Sequence, residues 1–563
     1  MNYDWIFKPL PPQEVVRNLS AELNISEVLA QLLAQRGITT FEEARHFFRP
    51  SIDDLHDPFL MKDMQKAVRR LNKALEEGEA ILIYGDYDVD GTSSVALMYR
   101  YLSQFTSELF TYVPDRYTEG YGVSFEGIDY AVEHHCSLII TLDCGIKAID
   151  KVLYAKEKGI DCIICDHHRP SEQVPEAVAI LNPKQEDCPY PYKELCGCGI
   201  GFKFAQAHNA FLGKPFEEIK PLLELVAVAT AADIVPVNGE NRVLMYYGVE
   251  IINTHPSAGI RVLFPLDKSV HTSDVVFQAA PRINAAGRIE HGRLAVALLT
   301  ENNYDEALAK VKKIEALNQE RKALDHSIAE EALEQIRQRG EENHYTTVVY
   351  NEAWHKGVIG IVASRLMETY YRPTVVFTKS GDKYAASARS VRGFDIYEAL
   401  EQCSTYIEQF GGHTYAAGLT LLPEQYEPFK AAFEQIVAQS LPTELRAPQL
   451  KIDATLPIEE ITAKKYAILK QFEPFGPENM TPVFYAGNVV DTGYARAIGN
   501  KEEHLKLTVK DRDGKQYLPA VGFSLGHKLP LVKSGRPFQI VYSIEENHFN
   551  GQTSLQLHIR DIR

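Results

Sequence analysis

A chain of 563 residues, 45% hydrophobic and 24% charged, exceeds the size at which a single core stops growing, so roughly two to four packed domains are expected and a disordered chain is excluded. The formal net charge of −17 excludes indiscriminate coating of DNA, because non-specific affinity comes from neutralising phosphates with Lys and Arg. No stretch approaches about 18 uninterrupted apolar residues, and Met1-Asn2-Tyr3-Asp4-Trp5 lacks the basic and apolar parts of a signal peptide, so a cytoplasmic location without membrane contact is expected.

Residues 12 to 80 read as helical: Leu19, Leu23, Ile25, Val28, Leu29, Leu32 and Leu33 recur at helical spacing, as do Met64, Val68, Leu71 and Leu75. This predicts an N-terminal helical segment, 1–79, packed on the domain that follows. Short apolar runs then alternate with helical stretches: Ala80 to Tyr84, Leu138 to Leu142 and Ile160 to Cys165, with a helix from about Ala148 to Lys158. That alternation predicts βαβ units and a doubly wound parallel sheet over 80–303. Cys162-x-x-Cys165 and Cys196-Gly-Cys198 have no second pair at zinc-ribbon spacing, and reduced cysteines in an apolar run act as small hydrophobes, so buried thiols are expected.

From Tyr304 to Gly340, Leu308, Val311, Leu317, Leu324, Ile328, Leu333 and Ile336 predict one long connecting helix over 304–340. A second, smaller α/β domain over 341–440 is predicted from Thr347 to Tyr350, a helix near Ile361 to Tyr370, and Thr374 to Phe377. Short strands such as Pro482 to Tyr485 and Phe538 to Tyr542, with an Asp-Gly turn at 513 and an Asn-Gly turn at 550, predict a β-barrel of OB type over 446–563. From Arg446 onward the chain carries 16 Lys and Arg against 13 Asp and Glu, so the barrel is the less repulsive surface for a polyanion.

Each buried strand of the first half runs into acids or imidazoles: Gly85-Asp86-Tyr87-Asp88-Val89-Asp90-Gly91, Asp143-Cys144-Gly145, and Asp166-His167-His168. Asp233 ends the apolar run Leu222 to Ala232. In a parallel sheet the carboxyl ends of the strands share one crevice, so these groups can converge. Carboxylates gathered there repel one another unless a cation sits among them. Oxygen-rich ligands with imidazole suit Mn²⁺ or Mg²⁺, and two such ions about 3.5 to 4 Å apart suit phosphoryl displacement. Arg282, Asn284 and Arg288, in a Gly/Ala-rich segment, can clamp phosphate; surface ion pairs are the alternative. Trp354 to Gly360 leads into a helix whose free N–H groups suit an anion.

With these three clusters in order, joined by Ala232-Asp233, Pro281 to Arg288, Ser387-Ala388-Arg389-Ser390, Gly411-Gly412-His413, Ala416-Ala417-Gly418 and Pro474 to Asn479, the chain resembles the DHH phosphoesterase superfamily and, within it, the RecJ family of single-strand-specific exonucleases. Met480 stands where that family commonly has proline. The resemblance implies that Asp88, Asp90, Asp143, His167 and Asp233, with Asp86 as a further candidate, hold two ions, Asp143 bridging them. It places His168 near the scissile phosphate and His413 beside it. It assigns the 5′-phosphate to Arg116, Ser387 and Arg389. Tyr117 and Tyr121 can stack on bases, although loop tyrosines also serve as packing anchors. For Gly411 and Gly412 a helix-ending turn is the alternative.

The implied activity is 5′→3′ hydrolysis of single-stranded DNA to 5′-mononucleotides by a two-metal mechanism, in recombination and repair. The implied chain is a monomer whose candidate partners are single-strand-binding protein and a helicase. A DHH/DHHA1-type phosphodiesterase of short oligonucleotides or cyclic dinucleotides is the alternative; the long helix and the barrel argue against it, since a dinucleotide needs no extended groove.

Overall fold

Apolar strands buried on both faces set the first layer. In the computed structural model, which describes residues 3–265, 268–549 and 552–563, five parallel strands lie in the order Leu109–Tyr112, Ala80–Gly85, Cys136–Leu142, Asp161–Cys165, Ala179–Leu181. Successive side chains point to opposite faces. Ile81, Ile83, Leu138, Ile140, Ile163 and Cys165 therefore enter one core, and Leu82, Tyr84, Ile139, Cys162 and Ile164 the other. Helices Met64–Glu77, Val89–Leu102 and Gly197–Phe211 cover the first face; Phe125–Glu133 and Ile149–Glu157 cover the second. The sheet is doubly wound, as its sequence pattern predicts. Cys162 and Cys165 point to opposite faces, and all eight cysteines are buried free thiols.

Helices Leu223–Ala232, Gly239–Thr254, Ala280–Ile289 and Arg293–Leu299 enlarge the first core. The connecting helix runs Tyr304–Gln338, and its 35 residues span about 50 Å. Asn303 caps it, its side chain accepting from the N–H groups of Asp305 and Glu306. Ala307, Val311 and Ile314 belong to the first core; Ile328, Ala329, Ala332 and Ile336 belong to the core of the second unit. One rod thus fixes the two units to each other.

The second unit holds a mixed sheet in the order Gln409–His413, Ala416–Leu421, Lys383–Arg389, Thr374–Ser380, Thr347–Tyr350, in which only the last pair is parallel. The C-terminal unit is a seven-stranded sheet, five strands of which close into a barrel where Phe484–Asp491 pairs with His504–Asp511. The Asp513-Gly514 turn joins His504–Asp511 to Tyr517–Gly522. The expected Asn550-Gly551 turn lies outside the described residues.

The N-terminal expectation needs correction. Helix Met64–Glu77 packs on the first domain, but the buried faces of helices Gln13–Leu23, Glu27–Ala34 and Phe41–Phe48 belong to another core. Val16, Leu19, Leu29, Leu32 and Leu33 share a core with barrel residues Leu456, Ile458, Phe484 and Ile540. Amphipathic spacing shows that a face is buried, not which partner buries it. Arg242 ties the parts together: its guanidinium lies 3.8 Å from the Phe47 ring centroid and donates to the carbonyls of Phe47, Gln471, Phe472, Glu473 and Pro474. Arg36 donates to Asn479 Oδ1 and to the Met480 carbonyl, while the Asn479 amide donates to the Phe472 and Pro474 carbonyls. The turn is held by these bonds, so the exposed Met480 side chain replaces proline without disturbing it.

Candidate metal centre and phosphate cleft

The first sheet delivers its acids where the strands end. Asp86 follows Ala80–Gly85, Asp143 follows Cys136–Leu142, and Asp166-His167-His168 follows Asp161–Cys165. Asp233 arrives differently, as the C-terminal residue of the buried helix Leu223–Ala232. Asp88 caps helix Val89–Leu102, accepting from the Gly91 N–H, and Asp90 accepts from the Gly197 and Cys198 N–H groups at 2.6 and 2.7 Å, at the start of helix Gly197–Phe211. A β-carbon on Gly197 would stand 2.5 Å from that of Asp143, so only glycine lets this helix end approach. Asp143 itself has φ 59, in the left-handed region.

Among the described residues, two overlapping sets bring ligand atoms close enough to share an ion: Asp143, His167 and His168, and Asp90, His167 and Asp233. His167 Nε2 stands 3.1 Å from Asp143 Oδ1 and 3.9 Å from Asp90 Oδ2, and its Nδ1 stands 3.6 Å from Asp233 Oδ2. Both ring nitrogens of His167 and Asp233 Oδ2 are buried without a hydrogen bond. Buried polar atoms normally find partners. The donor set of carboxylates and a neutral imidazole fits divalent cations that favour oxygen. Electrostatics agree: burial, then Asp88, pushes Asp90 up to about 7; burial, then Asp90 and Asp88, pushes Asp233 to about 9. Burial raises Asp143 and Asp86 too, with Asp90 the next cause for the first and Asp88 for the second. Burial, then His168, lowers His167 to about 3, leaving its imidazole free to ligate.

A cleft of 520 Å³ opens between the two α/β units, lined by Arg116 and Arg288 from the first, Ser387 and Arg389 from the second, and Gly360 at the start of helix Ile359–Tyr370. Burial, then Arg116, Arg389 and Arg321, lowers Arg288 to about 10; burial, then Arg116, lowers Arg389. Three guanidiniums this close without a carboxylate lining the cleft form a site for a multiply charged anion.

The DHH family, N-terminal domain, matches residues 80–230; the DHHA1 domain matches 343–439; the RecJ OB domain matches 452–561. The chain is 37% identical over 557 residues to the single-stranded-DNA-specific exonuclease RecJ of Bacillus subtilis, covering 98% of this chain and 70% of that protein. It is 32% identical to the same exonuclease of Escherichia coli, covering 98% of each. The chain belongs to the RecJ family. A crystal structure of RecJ from Thermus thermophilus in complex with Mn²⁺ is similar with TM-score 0.84 and 25% identity, covering 100% of this chain and 79% of that one; a Mg²⁺ complex gives 0.78.

Within this RecJ-family chain most of the predicted residues meet. Tyr121 donates to the Asp143 carbonyl at 3.0 Å, lies 3.2 Å from the His168 ring nitrogens, and leaves 55% of its surface exposed. Tyr117 donates to the Arg288 carbonyl and sets its ring edge-on to His355, so it braces the domain boundary as a packing anchor while lining the cleft. Gly411, Gly412 and His413 form an edge strand rather than a helix-ending turn, and His413 faces His168 and Lys147 across a second cleft of 700 Å³.

Two predicted phosphate ligands are corrected. Arg282 donates to the Leu263 carbonyl and stands 3.6 Å from Glu315, outside the cleft, and Asn284 does not line it either. The segment is a helix, Ala280–Ile289, on which Arg282 and Arg288 point roughly 120° apart. Sequence reasoning gave no role to Asp166. Its Oδ1 lies 2.7 Å from His168 Nδ1 and its Oδ2 accepts from the Ile146 N–H. Burial pushes Asp166 up, but His168 outweighs it and holds the carboxylate below its usual range. Burial alone would lower His168, yet Asp166 raises it. The signal was an aspartate at a buried strand end immediately before two histidines.

Proposed function

We propose that this chain is a metal-dependent, single-stranded-DNA-specific exonuclease that works 5′→3′ and releases 5′-mononucleotides in recombination and repair. The carrying observation is the three-arginine cleft beside a carboxylate–imidazole cluster whose buried ligand atoms lack partners. Asp90, Asp143, His167 and Asp233, with Asp86 and Asp88 adjacent, would hold two Mn²⁺ or Mg²⁺ ions, and His168 belongs to one of the ligand sets. Bound there, the ions supply Lewis-acid neutralisation of the phosphodiester and a lowered pKa for the attacking water.

Arg116, Arg288, Ser387 and Arg389 anchor the terminal 5′-phosphate and so set the next phosphodiester over the aspartates. His168, oriented by Asp166, whose carboxylate favours the protonated imidazole, donates to that phosphodiester, and His413 faces it from the other side. In-line attack by water breaks the bond from phosphorus to the 3′-oxygen, which takes a proton and leaves with the terminal nucleotide. The remaining strand acquires a new 5′-phosphate, the group the arginines read, so each turnover prepares the next. Tyr121 offers an exposed ring for stacking beside the cut.

The domain division follows the matches, with 1–79 serving both the barrel and the first domain. Among the described residues no helix is long and apolar enough to cross a membrane. The reading takes the chain as a cytoplasmic monomer that works with single-strand-binding protein and a helicase. The test is digestion of 5′-phosphorylated, 3′-labelled single-stranded and duplex DNA with Mn²⁺. Stepwise shortening from the 5′ end, mononucleotide products and an intact duplex are expected, with faster turnover on long strands than on a dinucleotide. Release from the 3′ end, or no mononucleotide at all, overturns the reading.

A further inference from the structure

Ile234 follows Asp233 and has φ 61. It occupies the position just past helix Leu223–Ala232 and its C-cap, where glycine is usual because a side chain crowds the left-handed backbone. A β-branched residue there is an outlier. The side chain gains nothing from the fold in return, since Ile234 is 70% exposed. Neither backbone preference nor core packing accounts for isoleucine, and strain of this kind concentrates at functional sites.

Its place in the chain supplies a reason. One residue before it, Asp233 belongs to the metal-ligand set. Three residues after it, the Val237 N–H donates to the Pro477 carbonyl at 2.8 Å, and Gly476 packs on the Val237 side chain, so the chain has reached the barrel. The turn between is fixed: the Pro236 carbonyl accepts from the Tyr192 hydroxyl and the Asn241 amide. Ile234 is therefore a rigid apolar knob on the bridge between the metal centre and the barrel. We propose that Ile234 is the platform for the nucleobase immediately 3′ to the scissile bond, holding the departing strand in line with the metal centre on its way to the barrel. An aliphatic face suits this position because every base has an apolar face, so contact is independent of sequence.

The inference rests on the exonuclease reading, and its test is separable from it. Fluorescence anisotropy in metal-free buffer measures binding of a 5′-phosphorylated oligodeoxynucleotide, intact or abasic at its second nucleotide, by the full chain and by Ile234→Gly, Ile234→Asn and Ile234→Leu. Ile234→Gly and Ile234→Asn bind the intact strand about three- to tenfold more weakly, the abasic strand loses a similar factor with wild type, and the two losses do not multiply. Ile234→Leu keeps most of the affinity. The glycine and asparagine variants, whose residues accept a left-handed backbone, melt no lower than wild type. Unchanged binding by Ile234→Gly, multiplying losses, absence of strand binding, or weaker binding that tracks a lowered melting temperature each overturns the proposal. Wild-type turnover with Mn²⁺ judges the exonuclease reading by itself.

Discussion

Stripped of divalent metal, the first domain should lose stability as pH rises from 7 to 8.5. Asp233 in the folded protein is pushed up to about 9 by burial and then by Asp90 and Asp88, whereas an unfolded aspartate ionises near about 3.9. The folded state thus holds a proton that the unfolded state has lost. Stability from such a group is fully present below the unfolded value and is lost as pH climbs through the folded one. Each pH unit in that interval costs about 1.4 kcal/mol per group. Asp90, at about 7, has spent most of its contribution by the start of the window, and His167, at about 3, is neutral throughout in the folded state, so only the roughly one-quarter protonation of an unfolded histidine at pH 7 opposes the trend, by about 0.2 kcal/mol. From Asp233 alone the loss is about 2 kcal/mol, or roughly 4–8 °C in melting temperature for a domain of this size. Mn²⁺ displaces the proton, so its stabilisation should widen with pH. Scanning calorimetry of chelator-treated protein, with and without Mn²⁺, at pH 7, 7.5, 8 and 8.5 reads both slopes. A metal-free melting temperature that stays level, together with a Mn²⁺ gain that does not grow, would refute the claim that these buried aspartates form the metal centre.

Asp166→Asn removes the partner of His168 and should lower kcat about 10- to 100-fold while moving the alkaline limb of the pH–rate profile to lower pH, because the carboxylate no longer raises His168; an unmoved limb would dissociate the pair from the reaction. Arg389→Ala should cut kcat/KM roughly 10- to 100-fold on 5′-phosphorylated strands and little on 5′-hydroxyl strands, without lowering the melting temperature, since it also relieves repulsion by Arg116. Equal losses on both substrates would move the end-phosphate elsewhere. Arg242→Met leaves buried carbonyls without their donor and should destabilise by about 3 kcal/mol or more. Calorimetry should then show the barrel and N-terminal helices melting ahead of the sheet domains; a single unshifted transition would contradict that.

The metal centre was legible because a simple sequence pattern led to it. Short continuous apolar runs mark strands buried on both faces, and the residues that follow such strands share the crevice, so Asp86, Asp143 and His167 could be placed together from the sequence. Asp233 was legible as chemistry but not as geometry, since an apolar run of that length does not say whether it is strand or helix. Arg282 failed because the Gly/Ala-rich segment is a helix whose phase turns it away from Arg288, while Asn284 simply does not line the cleft. Asp166 escaped because its work is done on a neighbour. Ile234 could not be found from sequence at all: nothing in Asp233-Ile234-Val235-Pro236 announces a positive φ or an exposed side chain, which arise only from how the helix ends and how Val237 docks.

The shared core of the N-terminal helices and the barrel has a consequence for how the chain is made. Helices Gln13–Leu23, Glu27–Ala34 and Phe41–Phe48 emerge from the ribosome well before the surfaces that bury Leu19, Leu29 and Leu32, which begin near Ala454. At about 5–20 residues per second, those apolar faces wait roughly 20–80 s for their partner. Both sheet domains are complete by then, so the N-terminal helices dock on the barrel after them, sealed by strand Asp4–Phe7 against Gln449–Ile452 and by Arg563 on the Tyr3 carbonyl. The nascent chain therefore completes the carboxylate–imidazole cluster of its first domain before it makes the barrel segment on which Val237, at the end of the Ile234 turn, docks.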